Sequence, residues 1–246
     1  MISHQYIHGG LGNQMFQYAA AFAHARKMGV DLFYPIKPSL PNTNACLNLY
    51  DVFNLSGKKT GSFGPEYREP SFAYSPIPEL KSMTLNGYYQ SEKYFDKYKE
   101  EIKKEFTFKK PTQRKVLKDT VSIHVRRGDY VEQTQYHPLC GLDYYSTAMK
   151  EFEGCEFLVF SDDKEWCLQH FDYPNAEVFL SNSAEEDLQV MSMCDHHIIA
   201  NSSFSWWGAW LSINKNKRVI APKNWFGQGY SSNDTSDLYL PEWTLI

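Results

Sequence analysis

From about residue 119 the chain alternates between short apolar runs and segments with helical spacing, and this alternation restricts the possible folds more than any other feature. The apolar runs predict strands over residues 121–125, 156–160, 176–180, 197–200 and 218–221. The segments between them predict helices over 142–152, from Asp163 to about 171, from Ser183 to about 194, and over 204–213. Because strands that alternate with helices form βαβ units, the pattern predicts an α/β fold with a parallel sheet.

The first half of the chain is less regular. Residues 3–7 and 30–34 predict strands, and a glycine-rich turn after the first strand opens a helix that ends near Met28. Prolines and glycines interrupt residues 35–78, which indicates irregular chain, whereas 85–90 predicts a strand and 92–106 a helix. We place the domain boundary within residues 111–119 and predict two domains, residues 1–115 and 116–246.

Charged residues follow the predicted strand 121–125. Arg126, Arg127 and Asp129 surround Gly128, which permits a sharp reversal of the chain. Ligands of open α/β sheets bind beyond the carboxyl ends of the strands, and a planar guanidinium suits a diphosphate better than a lysine does. The alternative is a solvated arginine pair at the end of a surface strand.

Two further strand ends carry polar groups. Asp162 and Asp163 follow the strand 156–160, and Ser202 and Ser203 follow the strand 197–200. Parallel strands bring these ends to one edge of the sheet. For one member of each pair the alternative role is a helix N-cap.

The turn His8-Gly-Gly-Leu-Gly-Asn13 is a second candidate anion site. Gly10 and Gly12 let a ligand approach the backbone, the helix N-terminus attracts anions, and Asn13 can donate a hydrogen bond. A strand, a glycine turn and a helix also occur together without any ligand.

Asp187 lies on the apolar stripe of its predicted helix, together with Val190, Met191 and Cys194. A carboxylate in that position needs hydrogen-bond donors, and the N1 and N2 hydrogens of a guanine would satisfy both of its oxygens. The alternative is an acid stabilised by the dipole of the helix's first turn.

Composition excludes several classes of protein. The net charge of −4 and the pI near 6.1 do not fit a general nucleic-acid binder. The five cysteines form no CxxC pair, which favours a reducing compartment, and the chain opens with no signal-peptide pattern.

No P-loop, HExxH, GxSxG or DxD motif is present, so we expect no metal and no cofactor. Aromatic residues make up 16% of the chain, which favours surfaces on which sugar rings stack.

Four motifs together resemble the galactoside α-1,2-fucosyltransferases, glycosyltransferase family 11. They are GGLGNQMFQY at 9–18, HVRRGDY at 124–130, FSDD at 160–163 and ANSSFSWWGAW at 200–210. The resemblance implies a GT-B-like fold of two Rossmann-like domains, with GDP-fucose in the cleft. The N-terminal domain would face the acceptor, and the C-terminal domain would bind the donor.

The resemblance also implies roles for single residues. Arg126 would contact the β-phosphate, His124 would lie beside the nucleotide, and Asp187 would pair with guanine. Together with the reasoning above, the predicted donor-binding residues are Gly10, Gly12, Asn13, His124, Arg126, Arg127, Asp162, Asp163, Asp187, Ser202 and Ser203.

The predicted reaction is an inverting transfer of L-fucose from GDP-β-L-fucose to O2 of a terminal β-galactoside. Arg126 would stabilise the departing GDP, and a base would accept the acceptor's proton. Asp129, Glu132 and His137 are the candidate bases, since Thr134 stands where the α-1,6 enzymes carry their acid. The alternatives are a fucosyltransferase with another hexose or a protein hydroxyl as acceptor, and a non-catalytic sugar-nucleotide binding protein.

The expected partners are GDP-L-fucose and a β-galactoside glycan, and no nucleic acid. We expect a cytoplasmic protein. A lipid-linked acceptor would bring it to the inner face of the membrane as a peripheral protein.

Overall fold

The computed structural model describes residues 1–4, 7–34, 48–59 and 64–246. The chain forms two compact units, one of residues 1–110 with 233–240, the other of residues 111–232 with 241–246. The first unit therefore ends at Lys110 rather than at residue 115. It also includes residues 233–240, which the sequence placed in the second domain, because the Asp237 carboxylate pairs with Lys93 and accepts a hydrogen bond from the backbone of Tyr74.

The first unit contains a five-stranded sheet in which every pairing is parallel. The strand order is β3-β2-β1-β5-β4, with β1 (Ile2–His4), β2 (Leu32–Tyr34), β3 (Lys58–Lys59), β4 (Glu66–Arg68) and β5 (Met83–Asn86). The helices are α1 (Leu11–Met28), α2 (Leu49–Val52) and α3 (Lys99–Glu105). Because β1 is the central strand, the glycine-rich turn that follows it lies at the middle of the sheet's edge.

Helix α1 is the centre of this unit. Every residue from Leu11 to Ala25 except Asn13 is buried. A helix buried on all sides needs small or apolar residues on every face, and the run Ala19 to Ala21 meets that requirement. The helix ends at Met28, as predicted, and Gly29 caps it with a φ of 64°, the left-handed conformation that glycine adopts without strain.

Two predictions for the first unit need correction. Residues 92–106 do not form one helix: two 3₁₀ turns, Glu92–Tyr94 and Asp96–Tyr98, precede α3, and the buried Phe95 between them leaves helical geometry at φ −139°. The segment 35–78 is not wholly irregular, since α2, β3 and β4 lie within it. Residues 35–47 and 60–63 of that segment, which include Cys46, lie outside the described residues.

The second unit contains a six-stranded parallel sheet, as predicted. Its strand order is β11-β10-β9-β6-β7-β8, with β6 (Thr120–Val125), β7 (Glu156–Ser161), β8 (Ala176–Val178), β9 (His196–Ile198), β10 (Val219–Ala221) and β11 (Thr244–Leu245). The helices are α4 (Leu142–Lys150), α5 (Lys164–His170), α6 (Ala184–Met193) and α7 (Ser203–Leu211). The sequence did not predict β11, because this exposed strand of two residues carries no apolar run.

Strand β6 is buried on both faces, as in a sheet covered by helices on each side. The polar side chains that alternate along it therefore lie inside the protein. Ser122 is satisfied there by His197 of β9, with 2.7 Å between Ser122 Oγ and His197 Nδ1. Gly208 lies in α7 and faces Met191 of α6. A β-carbon added to Gly208 would lie 2.3 Å from Met191 Sδ, so glycine allows the two helices to pack closely.

Within the described ranges, no helix is both long enough and apolar enough to cross a membrane.

Candidate active site

The end of β6 holds an arginine between two carboxylates. Arg126 Nη2 lies 2.5 Å from Asp129 Oδ1, and Arg126 Nη1 lies 2.8 Å from Asp162 Oδ2. Val125 and Ser161 are in register, so the loops after β6 and β7 leave the sheet side by side and bring Asp162 to Arg126. The guanidinium also lies 5.1 Å from the ring centre of Tyr130. Its position is thus set from three directions before any ligand binds.

Gly128 is required here for a reason that the sequence did not reveal. A β-carbon at residue 128 would lie 2.4 Å from Asp162 Oδ2, so any other residue would push that carboxylate away from Arg126. The predicted sharp reversal is instead a 3₁₀ turn over Gly128–Val131. Close approach, rather than an unusual backbone conformation, explains the glycine.

Arg127 faces a different set of groups. Its Nε lies 2.9 Å from Asp163 Oδ2, and its guanidinium lies 4.2 Å from the ring centre of Trp166. Asp163 also accepts a hydrogen bond from the Trp166 backbone N–H and caps α5, which is the alternative role considered for one of the two acids. The hydrogen bond from Arg127 lowers the pKa of Asp163. Asp162 instead joins the two arginines, since its Oδ1 accepts from the Arg127 backbone N–H at 2.9 Å.

His124 lies just inside the site, buried at the end of β6 with its ring 5.6 Å from that of Phe204. Its Nδ1 is buried and has no hydrogen-bond partner in the described part of the chain. Burial, followed by the charge of Arg126, lowers the pKa of His124 to about 3. The ring is therefore neutral at physiological pH and has an unused polar atom.

Asp187 is a second buried side chain with an unused polar atom. It is buried in the first turn of α6, and within the described ranges its Oδ1 has no hydrogen-bond partner. Burial raises its pKa, which a hydrogen bond to Ser181 and the charge of Lys164 partly offset. Lys164 Nζ is itself held by the Ser181 carbonyl at 2.7 Å. An unpaired buried carboxylate oxygen costs free energy unless a ligand supplies a donor.

At the third predicted strand end, one serine has the alternative role considered for that pair, a helix N-cap. Ser202 caps α7 by accepting from the Phe204 backbone N–H at 3.3 Å, and Ser203 opens that helix. Asn201 is buried and donates to the Pro138 and Trp225 carbonyls, which ties two loops together. The order β9-β6-β7 confirms that the three strand ends share one edge of the sheet.

In the first unit, the glycine-rich turn is held by two glutamines whose role the sequence did not reveal. Gln14 Nε2 donates to the Gly9 carbonyl at 2.9 Å, and Gln17 Nε2 donates to the His8 carbonyl at 2.8 Å. Their spacing of one and two helical turns from the loop was the only available signal.

The predicted residues of this turn differ in their surroundings. Gly10 is the N-cap of α1, and a β-carbon there would meet nothing within 4 Å, so the space above it is open. Gly12 is buried in the helix's first turn. Asn13 Oδ1 accepts from Gln90 Nε2 at 2.8 Å.

The candidate bases lie on the loop that follows Arg126. Asp129 is held by Arg126 but exposes 54% of its side chain, and Glu132 is exposed. His137 stacks on Tyr130, with 4.5 Å between ring centres and 16° between ring planes, and burial lowers the pKa of His137. Within the described residues, no group of three or more His, Cys, Asp and Glu side chains is arranged to hold a metal ion.

Comparison with known proteins confirms the resemblance seen in the sequence. Residues 64–246 match the model of Glycosyl transferase family 11. The chain is 34% identical to an α-1,2-colitosyltransferase of Escherichia coli over 89% of this chain and 90% of that protein. It is 30% identical to the O-antigen biosynthesis glycosyltransferase WbnK of Escherichia coli, over 96% and 98% of the two chains. It is also 27% identical to galactoside α-(1,2)-fucosyltransferase 1 of Rattus norvegicus, over 83% and 62%.

Solved structures confirm the fold class. NodZ α-1,6-fucosyltransferase soaked with GDP-fucose is similar, with a TM-score of 0.59 at 12% identity over 90% of this chain and 94% of that chain. POFUT1 in complex with GDP has a TM-score of 0.52 at 12% identity, over 90% and 97%. The protein thus has the GT-B-like α/β fold of these enzymes.

The low pKa of His124 predicts a pH-dependent stability. The unfolded chain protonates this histidine near pH 6.5 and the folded protein only near 3, so the stabilisation is complete above pH 6.5 and is lost as the pH falls below it. We expect the unfolding free energy to fall by about 1.5 kcal/mol between pH 6.5 and 5 from His124 alone. Urea denaturation at both pH values should show a smaller fall in His124→Gln. An equal fall in the variant and the wild type would contradict the burial of a neutral imidazole.

Proposed function

Because the chain belongs to glycosyl transferase family 11, we propose that it transfers L-fucose from GDP-β-L-fucose to O2 of a terminal β-galactoside with inversion at the transferred carbon. The observation that carries this proposal is the Arg126 guanidinium, fixed at the end of β6 by Asp129 and Asp162. A rigid planar donor at the carboxyl end of a central strand suits the diphosphate of a nucleotide sugar.

The diphosphate would exchange with Asp129 on Arg126. Asp129 exposes 54% of its side chain and Asp162 only 27%, so the Asp129 ion pair is the weaker and the more easily replaced. Arg126 would then neutralise the charge that develops on the β-phosphate as the bond to the sugar breaks. The freed Asp129 carboxylate would be available to accept the proton of the acceptor hydroxyl as that oxygen bonds to the sugar carbon.

The guanine would be read by Asp187, whose Oδ1 is buried without a partner among the described residues. His124, with its own unpartnered Nδ1, would lie beside the nucleotide. The proposal needs no divalent metal, because the sequence has no DxD triplet and the arginine supplies positive charge at the diphosphate.

Colitose is a second candidate for the transferred sugar. The relative at 34% identity is a colitosyltransferase, whereas the rat fucosyltransferase is 27% identical. Transfer of colitose, also in an α-1,2 linkage, is therefore the second candidate function. Both candidates use the same proposed nucleotide site.

One screen tests the proposal. GDP-L-fucose and GDP-colitose are each offered with a panel of β-galactosides in the presence of EDTA, and products are detected by mass spectrometry and their linkage determined by NMR. The proposal predicts fucosylation at galactose O2 and full activity in EDTA. Exclusive use of GDP-colitose would contradict the proposed donor, and linkage at another hydroxyl would contradict the proposed acceptor position. Activity that returns only with Mg²⁺ or Mn²⁺ would contradict the metal-free reaction. Binding of GDP without any turnover would support a non-catalytic protein.

Asp187→Asn is expected to weaken GDP binding while leaving the fold intact. An amide offers one acceptor and two donors, so one of the two hydrogen bonds to guanine becomes a clash of donors. Loss of a hydrogen bond to a charged group costs about 1.5 to 3 kcal/mol, which corresponds to about a ten- to hundredfold higher Kd for GDP. Calorimetry with GDP measures this directly.

The matched control is Glu186→Gln, which removes a neighbouring acid from the same helix turn. If Asp187 only stabilises the helix dipole, both substitutions will change stability similarly and neither will change the Kd for GDP. If Asp187 reads the base, only Asp187→Asn will change that Kd.

A further inference from the structure

Two loops of the second unit place a cluster of rings next to Arg126. Tyr130 and His137 follow β6, whereas Phe226 and Tyr230 follow β10, and Tyr136 joins them from the first loop. Tyr130 lies 5.1 Å from the guanidinium carbon of Arg126 and stacks on His137 at 4.5 Å. His137 then contacts Tyr230 at 5.6 Å, and Tyr230 contacts Tyr136 at 4.9 Å. The rings thus form a continuous path from the arginine to the surface.

The last two rings of this path are exposed. Tyr136 and Tyr230 each expose 40% of their surface although they touch each other. Their ring planes are tilted by 51° rather than stacked in parallel. We call this pair the aromatic platform. Its position on the loops that extend from the candidate active site distinguishes it from single apolar residues scattered on a surface.

The backbone keeps the platform in place. Gly227 donates to the Tyr136 carbonyl at 2.9 Å, and Gly229 donates to the Gln135 carbonyl at 2.9 Å. β-Carbons at Gly227 and Gly229 would lie 2.3 Å from the Gln135 carbonyl oxygen and 2.4 Å from the Tyr136 ring. Both glycines are therefore needed for the two loops to approach this closely. The ligand would meet rings that are already ordered, which reduces the entropy cost of binding.

The chemistry around the platform fits a neutral sugar. The C–H face of a hexose is apolar and packs on aromatic rings, while its hydroxyls need neutral hydrogen-bonding groups. The exposed side chains of Gln133, Thr134 and Gln135 supply such groups on the same loop. Asp129 and Glu132 are close to these residues in the sequence. Their carboxylates disfavour a phosphorylated ligand at the platform.

We propose that Tyr136 and Tyr230 bind the hexose that receives the transferred sugar. This rests on the proposed function, because the acceptor hydroxyl must reach the sugar bound at Arg126. The sequence led us to expect the acceptor on the first domain, residues 1–115. The platform instead places the receiving hexose on the second unit, on the loop that also carries Asp129, so one loop would hold both the acceptor and the candidate base.

The test uses Tyr136→Leu and Tyr230→Leu, which keep an apolar side chain but remove the flat ring. We expect each to raise KM for the acceptor about tenfold, since stacking depends on the ring face, while the Kd for GDP stays within about twofold. Tyr136→Phe and Tyr230→Phe should restore most of the acceptor affinity. Tyr173→Leu is the matched control, because Tyr173 is 43% exposed in the same unit but precedes β8 at the opposite edge of the sheet.

A second measurement does not depend on turnover. Saturation-transfer NMR with methyl β-D-galactoside and GDP-bound protein should show transfer to the galactoside in the wild type and much less in the two leucine variants. An unchanged KM and unchanged transfer in both variants would overturn the platform. So would an equal loss in Tyr173→Leu, or a Kd for GDP that rises as much as KM.

The two proposals fail in different ways. A wild-type protein that transfers neither sugar refutes the proposed function, and the NMR titration still decides whether the platform binds a hexose. If the wild type is active with a β-galactoside but its KM for that acceptor is unchanged in Tyr136→Leu and Tyr230→Leu, only the platform is refuted.

Discussion

The ion pair between Arg126 and Asp162 is the interaction on which the rest of the site depends. It joins the loop after β6 to the loop after β7. The register of Val125 with Ser161 brings the two loops together, and the absence of a side chain at residue 128 leaves room for the Asp162 carboxylate. Asp162 also binds the Arg127 backbone, so one carboxylate orients both arginines. Tyr130, which lies beside Arg126, then connects the pair to the aromatic loops.

The carboxylates that hold the arginines also cancel their charge. Arg126 and Arg127 face Asp129, Asp162 and Asp163, so the site without a ligand has no excess positive charge. In the proposed function the diphosphate therefore replaces one carboxylate, and Asp129 is the candidate because it is the more exposed partner of Arg126. Such an exchange couples donor binding to release of the candidate base.

Most of the second unit could be predicted from the sequence, because the apolar periodicity of its strands and helices and the residues that end them are local features of the chain. The apolar runs gave β6 and β7 to within one residue, and Ser183 marked the start of α6. The Asp187 anomaly was visible as a carboxylate on an apolar stripe. What could not be predicted depends on residues far apart in the chain. The contact of Gly128 with Asp162 and the packing of Gly229 on Tyr136 arise only when loops from different strands meet.

In the proposed function, Arg126 binds the diphosphate through the fixed geometry of its guanidinium and not through charge alone. This role can be measured by calorimetry with GDP and GMP on the wild type and on Arg126→Lys, with substitution of the exposed Arg218 by lysine as the control. We expect the wild type and the control to bind GDP more tightly than GMP, and Arg126→Lys to lose most of this preference while its affinity for GMP is unchanged. An Arg126→Lys protein that keeps the wild-type preference for GDP would show that charge alone is sufficient at this position.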